Sequence, residues 1–385
     1  FCFDVGEEKV RTAGYYVVKS GKYGYGSIRL YNSNRFSWIS SIESDYGSGS
    51  FKRGNYKIDG NMLVFFDIET TGLSARMSYI YLIGAIAWED HTWTCTQWFA
   101  ESTYEESIVL KEFLDYSQSR SLLIHFNGDR FDIPYINEKC ETYHLNTTLS
   151  SIVSRDLLRM IQPLRKMLQL TSLKQKSLEA FLHVNRDDEF TGGELISVYQ
   201  SYLRVPDQDK LDSLFLHNYE DLLGMIAILP ILSYQTIINK IYHITGYEVN
   251  DDTLDIHARL PVMLPRAFTY IGELYTIRAE KDQMLISVPG RREPLKYFYP
   301  DFKNYYYLPE EDMALHKSVA AFVDKAHREP ARASTCYSKK KGFYLPQNEA
   351  LFKPVFKTDY YHRQLYFPCN DAFLENPENI TNYTY

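Results

Sequence analysis

The stretch Leu63-Val64-Phe65-Phe66-Asp67-Ile68-Glu69-Thr70-Thr71-Gly72 decides how this chain is read. It belongs to an apolar run, 62–68, of the kind that fills a strand buried on both faces. Side chains two residues apart on a strand share a face. Asp67 and Glu69 therefore leave the strand end together, as a pair of hard oxygen ligands suited to Mg²⁺ or Mn²⁺. An acidic loop after a strand would give the same letters, so the weight of this pair depends on its surroundings.

Those surroundings read as an α/β unit. Residues 79–88 and 92–99 are two further strands, the second alternating and rich in β formers. Residues 105–116 have helical spacing at Ile108, Leu110, Phe113 and Leu114. A buried strand is expected at 121–126, a helix at 131–143 and a short strand at 151–153. Helices are expected at 156–168, 173–182, 194–203 and 209–229, the last stopping at Pro230. This order suits a mixed five-stranded sheet flanked by helices. Three regions follow: 1–61, an N-terminal extension of short strands and loops; 62–240, the α/β domain; and 241–385, a Tyr-rich, β-rich or α+β appendage with helical signal only at 311–327.

Two more pieces bear chemistry. In His125-Phe126-Asn127-Gly128-Asp129-Arg130-Phe131-Asp132, a buried strand delivers a glycine-containing turn and Asp132 starts a helix. Asp132 reads either as a helix cap or as a functional carboxylate. Asp129 competes for the second role, and Asp132 is preferred because Phe131 anchors it. Asn127 either contacts a substrate phosphate or makes an Asx turn. In His217-Asn218-Tyr219-Glu220-Asp221, positions i and i+4 share a helix face, so His217 and Asp221 project together and Tyr219 does not join them. His217 can act as a general base near neutral pH, although a surface His–Asp pair is common and weak. Asp156 reads as a helix cap and Glu194 as first-turn helix electrostatics.

Composition bounds the rest. A net charge of −7 argues mildly against a broad basic grip on nucleic acid. A carboxylate site lowers the total, however, and a local basic patch can coexist with it. Residues 313–366 carry ten Lys/Arg against four Asp/Glu, mixed with tyrosines. That mixture suits a single strand of nucleic acid and equally a solvated basic loop over a Tyr-filled β core. Tyr305-Tyr306-Tyr307 reads as strand packing rather than a stacking platform. Five cysteines without a C-x-x-C pair argue for reduced thiols rather than a zinc ribbon or disulfide framework. With no signal-peptide pattern and no apolar run of about 18 residues, no membrane association is expected and the location expected is cytoplasmic.

Each piece alone is weak, but their order is informative. Asp67-x-Glu69 follows a first strand, Asn127-x-x-x-Phe131-Asp132 follows a fourth, and His217-x-x-x-Asp221 sits on a late helix. This resembles the DEDD superfamily of 3′–5′ exonucleases. Residues 60–240 look more closely like the YprB-like ribonuclease H-like domain proteins of bacteria, with Thr70-Thr71-Gly72-Leu73, Lys174-Gln175-Lys176-Ser177-Leu178-Glu179, Thr191-Gly192-Gly193-Glu194-Leu195 and Asn218-Tyr219-Glu220-Asp221 in support. The downstream block 305–347 is similar to the tail of that family. The resemblance implies a ribonuclease H-like fold and a metal-dependent nuclease, most simply a 3′–5′ exonuclease on DNA or RNA with a single-stranded 3′ end. It also implies a helicase partner. Asp67, Glu69, Asp132 and Asp221 would hold two Mg²⁺ or Mn²⁺ ions about 3.5–4 Å apart, with Asp67 bridging and His217 on the attacking water. One departure stands out: His217 occupies a spacing at which the superfamily carries Tyr. The alternatives are a structure-specific endonuclease and a non-catalytic nucleic-acid-binding scaffold on the same fold.

Overall fold

Residues 63–70 form the expected strand, and the fold is arranged around it. The computed structural model describes residues 7–12, 15–20, 63–89, 92–188 and 190–384. It divides into two units, residues 1–235 and 236–385. In the first unit a hairpin of β1 (Glu7–Thr12) and β2 (Tyr15–Ser20) precedes β3 (Leu63–Thr70), β4 (Ile80–Glu89) and β5 (Thr92–Ala100). Helix α1 (Glu106–Gln118), β6 (Leu122–His125), α2 (Asp132–Thr142) and β7 (Val153–Asp156) follow. The remaining helices are α3 (Leu157–Ile161), α4 (Gln175–Phe181), α5 (Gly192–Arg204) and α6 (Gln208–Ile228).

The sheet runs β1-β2-β5-β4-β3-β6-β7. β3, β4 and β5 form an antiparallel meander, while β6 and β7 run parallel to β3. The five strands β3 to β7 are the mixed sheet expected from sequence, and the hairpin extends it by pairing β2 with β5. What else was expected of residues 1–61 lies outside the described residues.

Strand alternation divides the core in two. Val64, Phe66 and Ile68 of β3 pack with Val109, Leu110 and Phe113 of α1 and Tyr135 and Ile136 of α2. On the opposite face Phe99 of β5 packs with Leu195, Tyr199 and Tyr202 of α5 and Leu211, Leu214 and Phe215 of α6. Asp67 lies out of phase with the first set, so the same alternation that buries β3 turns its carboxylates toward α6. Glu106 and Lys139 form a wholly interior ion pair at 3.1 Å beneath the β3–β4 loop. Glu106 also accepts from the backbone N–H of Ile80 at 2.7 Å and from Tyr143.

Two expectations fail on backbone grounds. The helix read at 156–168 stops at Ile161 and continues only as a 3₁₀ turn through Gln162–Leu164, because Pro163 lacks the N–H that would extend it. The helix read at 311–327 is a strand, Met313–His316, a single turn, Lys317–Ala320, and a 3₁₀ turn, Lys325–His327. Pairing of Met313–His316 with Tyr305–Leu308 overrides the local helical spacing there. By length and composition Gln208–Ile238 could cross a membrane, contrary to the expectation of no such run, but 56% of its most apolar window is packed inside the fold.

The second unit is β-rich. A five-stranded antiparallel sheet joins Phe268–Ile271, Thr276–Glu280, Gln283–Pro289, Thr253–Arg259 and His243–Asn250, and three smaller antiparallel ladders follow. Its tyrosines are structural in part. Tyr299 stacks on Tyr305 at 4.7 Å, and Asp312 accepts from Tyr307 at 2.6 Å and from Tyr337 while pairing with Lys339.

Candidate active site

Four carboxylates from three elements, β3, α2 and α6, converge. β3 supplies Asp67, partly buried, and Glu69, 8% exposed. The first residue of α2 supplies Asp132, 4% exposed, whose Oδ1 accepts from the Ile68 N–H at 3.3 Å. That bond ties the N-terminus of α2 to the stretch between Asp67 and Glu69. α6 supplies Asp221 one turn after His217, and His217 Nε2 lies 3.4 Å from Asp221 Oδ2 and 3.7 Å from Glu69 Oε1. Glu69, His217 and Asp221 each present a ligand atom within 4.8 Å of the others.

The electrostatics record the crowding. Burial, then the charges of Glu69, Asp132 and Asp221, push the Asp67 carboxyl well above the usual carboxylate range. Glu69 is raised in the same way, by burial and then by Asp221, Asp132 and Asp188. Asp132 is pushed up to about 7, chiefly by burial, against the opposing pull of backbone hydrogen bonds. Like charges held this close favour protonation, and a divalent cation removes the repulsion. A hard, all-oxygen quartet with a neighbouring imidazole fits Mg²⁺ or Mn²⁺.

Several supporting residues find their partners far away along the chain. Asn218, fully buried, donates from Nδ2 to Asp67 Oδ2 at 3.0 Å and accepts at Oδ1 from Gln97 Nε2, also at 3.0 Å. Gln97 Nε2 further donates to the Phe215 carbonyl at 3.0 Å. Asp67, Gly84 and Gln97 are direct cross-strand partners on β3, β4 and β5. Asn218 therefore bridges two strands across the gap that Gly84 leaves. A Cβ at Gly84 would fall 2.8 Å from Asn218 Cγ and from Leu222 Cδ1, so only glycine admits the amide here.

Asp221 is held by Arg186, whose Nη1 donates to Oδ1 at 2.5 Å. The same guanidinium grips Glu179 of α4 through Nε and through Nη2, the latter at 2.6 Å. Burial works against the Arg186 charge, but these two carboxylates raise its pKa overall. Gln175 anchors α4 to α6 by donating to the Asp221 carbonyl at 2.7 Å. The close approach again needs a glycine, since a Cβ at Gly224 would collide with Glu179 Oε1 and Gln175 Nε2. His217 is held from its other side: Nδ1 lies 2.7 Å from Asp188 Oδ2.

The other sequence candidates have backbone work. Asn127 sits at φ 63°, a left-handed position that Asn tolerates, and its N–H donates to Asp156 Oδ1 at 2.9 Å. Asp156 caps α3 and also accepts from the Asp129 N–H, so its carboxylate ties the turn to the helix. Asp129 pairs with Arg159 at 2.5 Å. Glu194 closes a capping box with Thr191 at the start of α5.

Among solved structures, the family B DNA polymerase from the hyperthermophilic archaeon Pyrobaculum calidifontis is similar over 46% of this chain and 25% of its own, with 12% identity and a TM-score of 0.37. The chain thus spans about a quarter of that polymerase. A structure described as the apo form of a nuclease is similar over 47% of this chain and 76% of its own, with 17% identity and a TM-score of 0.31. No curated protein matches the chain. Residues 64–233, which hold all four carboxylates and His217, match the RNase_H_2 family model of the RNase H superfamily, and the fold of this region is ribonuclease H-like.

Proposed function

We propose that this protein is a divalent-metal-dependent nuclease, specifically a 3′–5′ exonuclease of the DEDD type related to the YprB-like proteins. The observation that carries this reading is the convergence of Asp67, Glu69, Asp132 and Asp221, with His217 among them, on a fold matching an RNase H superfamily model. The four carboxylates would hold two Mg²⁺ or Mn²⁺ ions, which when bound neutralise phosphate charge and activate water.

The chain's own residues prepare that chemistry. Asn218 fixes the rotamer of Asp67, the Ile68 N–H fixes Asp132, and Arg186 fixes Asp221 while leaving its Oδ2 toward His217. His217 presents Nε2 to the same space and is placed to orient or deprotonate the attacking water. Preorganisation of this kind avoids reorganisation during the reaction, which is where phosphoryl-transfer sites gain most.

The test is cleavage of 5′-labelled single-stranded and duplex DNA and RNA, with Mg²⁺, Mn²⁺ or EDTA. A metal-dependent ladder shortening from the 3′ end supports the proposal. Cutting of a covalently closed circle would reassign the protein as an endonuclease. Tight binding without cleavage by metal-loaded protein would make it a scaffold.

A further inference from the structure

We propose that Asp188 is a positioning residue for the reaction. Its carboxylate fixes the proton of His217 on Nδ1 and so presents the Nε2 lone pair to the carboxylate cluster. This inference rests on the nuclease reading for its catalytic consequence, but not for its structural content.

Asp188 stands 29 residues before His217, in the segment between α4 and α5. Its Oδ1 accepts from the Phe190 N–H at 3.0 Å, and its Oδ2 accepts from Lys176 Nζ at 3.0 Å while lying 2.7 Å from His217 Nδ1. The Asp188 side chain is 1% exposed and that of His217 is 6% exposed, so water does not compete for the contact. The loop is itself pinned, because the Asp187 and Asp188 N–H groups each donate to Glu220 at 2.8 Å. Glu220 immediately precedes Asp221 on α6, so the loop that carries Asp188 is registered against the helix that carries His217.

The proton's location follows from this arrangement. An ionised carboxylate only accepts hydrogen bonds, and Asp188 already receives two donors, one of them a lysine. At 2.7 Å the third partner must be Nδ1–H. A neutral imidazole with its proton on Nδ1 has a lone pair on Nε2. That atom points at the gap between Glu69 Oε1 and Asp221 Oδ2, at 3.7 and 3.4 Å, both beyond a direct hydrogen bond. The imidazole is therefore set to accept a proton from a group placed in that gap, and it cannot rotate without breaking the Asp188 contact. The opposite tautomer would leave the Asp188 carboxylate facing a bare nitrogen lone pair.

The experiment is ¹⁵N NMR of the imidazole nitrogens in full-length protein, which reports directly which nitrogen carries the proton. The His217 signals are assigned by their loss in His217→Gln. The expected result is a protonated Nδ1 and a bare Nε2 in the wild type, with mixed tautomers in Asp188→Leu. A wild-type proton on Nε2, or an unchanged tautomer in Asp188→Leu, would overturn the inference whether or not the protein cleaves nucleic acid. A second arm uses kinetics. Asp188→Leu is expected to lower kcat about 10- to 100-fold, by analogy with loss of an outer-shell partner that orients a side chain at a metal site, with KM nearly unchanged. In a His217→Ala background the same change is expected to cost less than about twofold. An equal loss in both backgrounds would show a merely structural Asp188. Absence of cleavage by the wild type would refute the nuclease reading while leaving the tautomer result to decide the positioning role.

Discussion

Replacing Gly84 with alanine adds one methyl group, yet the account makes it costly. The new Cβ would lie 2.8 Å from Asn218 Cγ and 2.8 Å from Leu222 Cδ1, and closer still to Asn218 Oδ1. Leu222 can rotate its terminal methyl away. Asn218 cannot move freely, because it is fully buried and held between Gln97 and Asp67 at 3.0 Å on each side. Overpacking of a core by a methyl group costs about 1–3 kcal/mol. Displacing the Asn218 amide also leaves one N–H of Gln97 without its acceptor, although the other keeps the Phe215 carbonyl, a loss of about 1–3 kcal/mol for a buried polar group. Together the expectation is a loss of about 2–6 kcal/mol, read by urea unfolding with an unchanged m value. Asn218→Ala removes the obstructing amide, so Gly84→Ala should cost at least 1 kcal/mol less in that background. If Gly84→Ala is stable to within about 0.5 kcal/mol of the parent, the close packing of α6 on β4 is wrong. The placement of Asn218 against Asp67 would fall with it.

Other consequences are as direct. Lys139→Met leaves the interior Glu106 without its cation, with only the Ile80 N–H and Tyr143 as partners, and should destabilise the protein by about 3–5 kcal/mol in the same unfolding assay. Asp67, Glu69 and Asp132 all have raised folded-state pKa values, Asp132 to about 7, so the native state binds more protons than the unfolded chain. The stabilising contribution of Asp132 is present below the ordinary carboxylate value of about 4 and is lost as pH rises through about 7, and those of Asp67 and Glu69 are lost in the same direction. The melting temperature in EDTA should therefore fall between about pH 4 and pH 7, and saturating Mn²⁺ should flatten or reverse that slope because metal binding displaces the protons. A rise in the metal-free melting temperature over that interval would show that the carboxylates are not crowded.

The sequence carried the strand order and the primary carboxylates for a physical reason. Both depend on local periods: two for Asp67 and Glu69 on β3, and about 3.6 for His217 and Asp221 on α6. The residues that hold them are related by distance across the fold and follow no period. Gln97 meets Asn218 across 121 residues, and Asn218 meets Asp67 across 151. The available clue was the presence of polar side chains inside apolar segments: Gln97 within β5 and Asn218 on an interior helix face each require a partner. Asp188 lies in an irregular acidic loop where neither period applies, and Arg186 is recognisable only once α4 is seen against α6. The misreading at 311–327 has the converse cause, since helical spacing there yields to strand pairing that only the folded chain supplies.

The most direct test of the central claim is a calorimetric Mn²⁺ titration of the full chain beside Asp67→Asn. Asn keeps the shape of the side chain but removes the charge that the cluster shares. The account predicts saturable Mn²⁺ binding to the parent, with protons released on binding, and loss of at least tenfold in affinity in the variant. A parent that binds no Mn²⁺, or a variant that binds it as tightly as the parent, would contradict it.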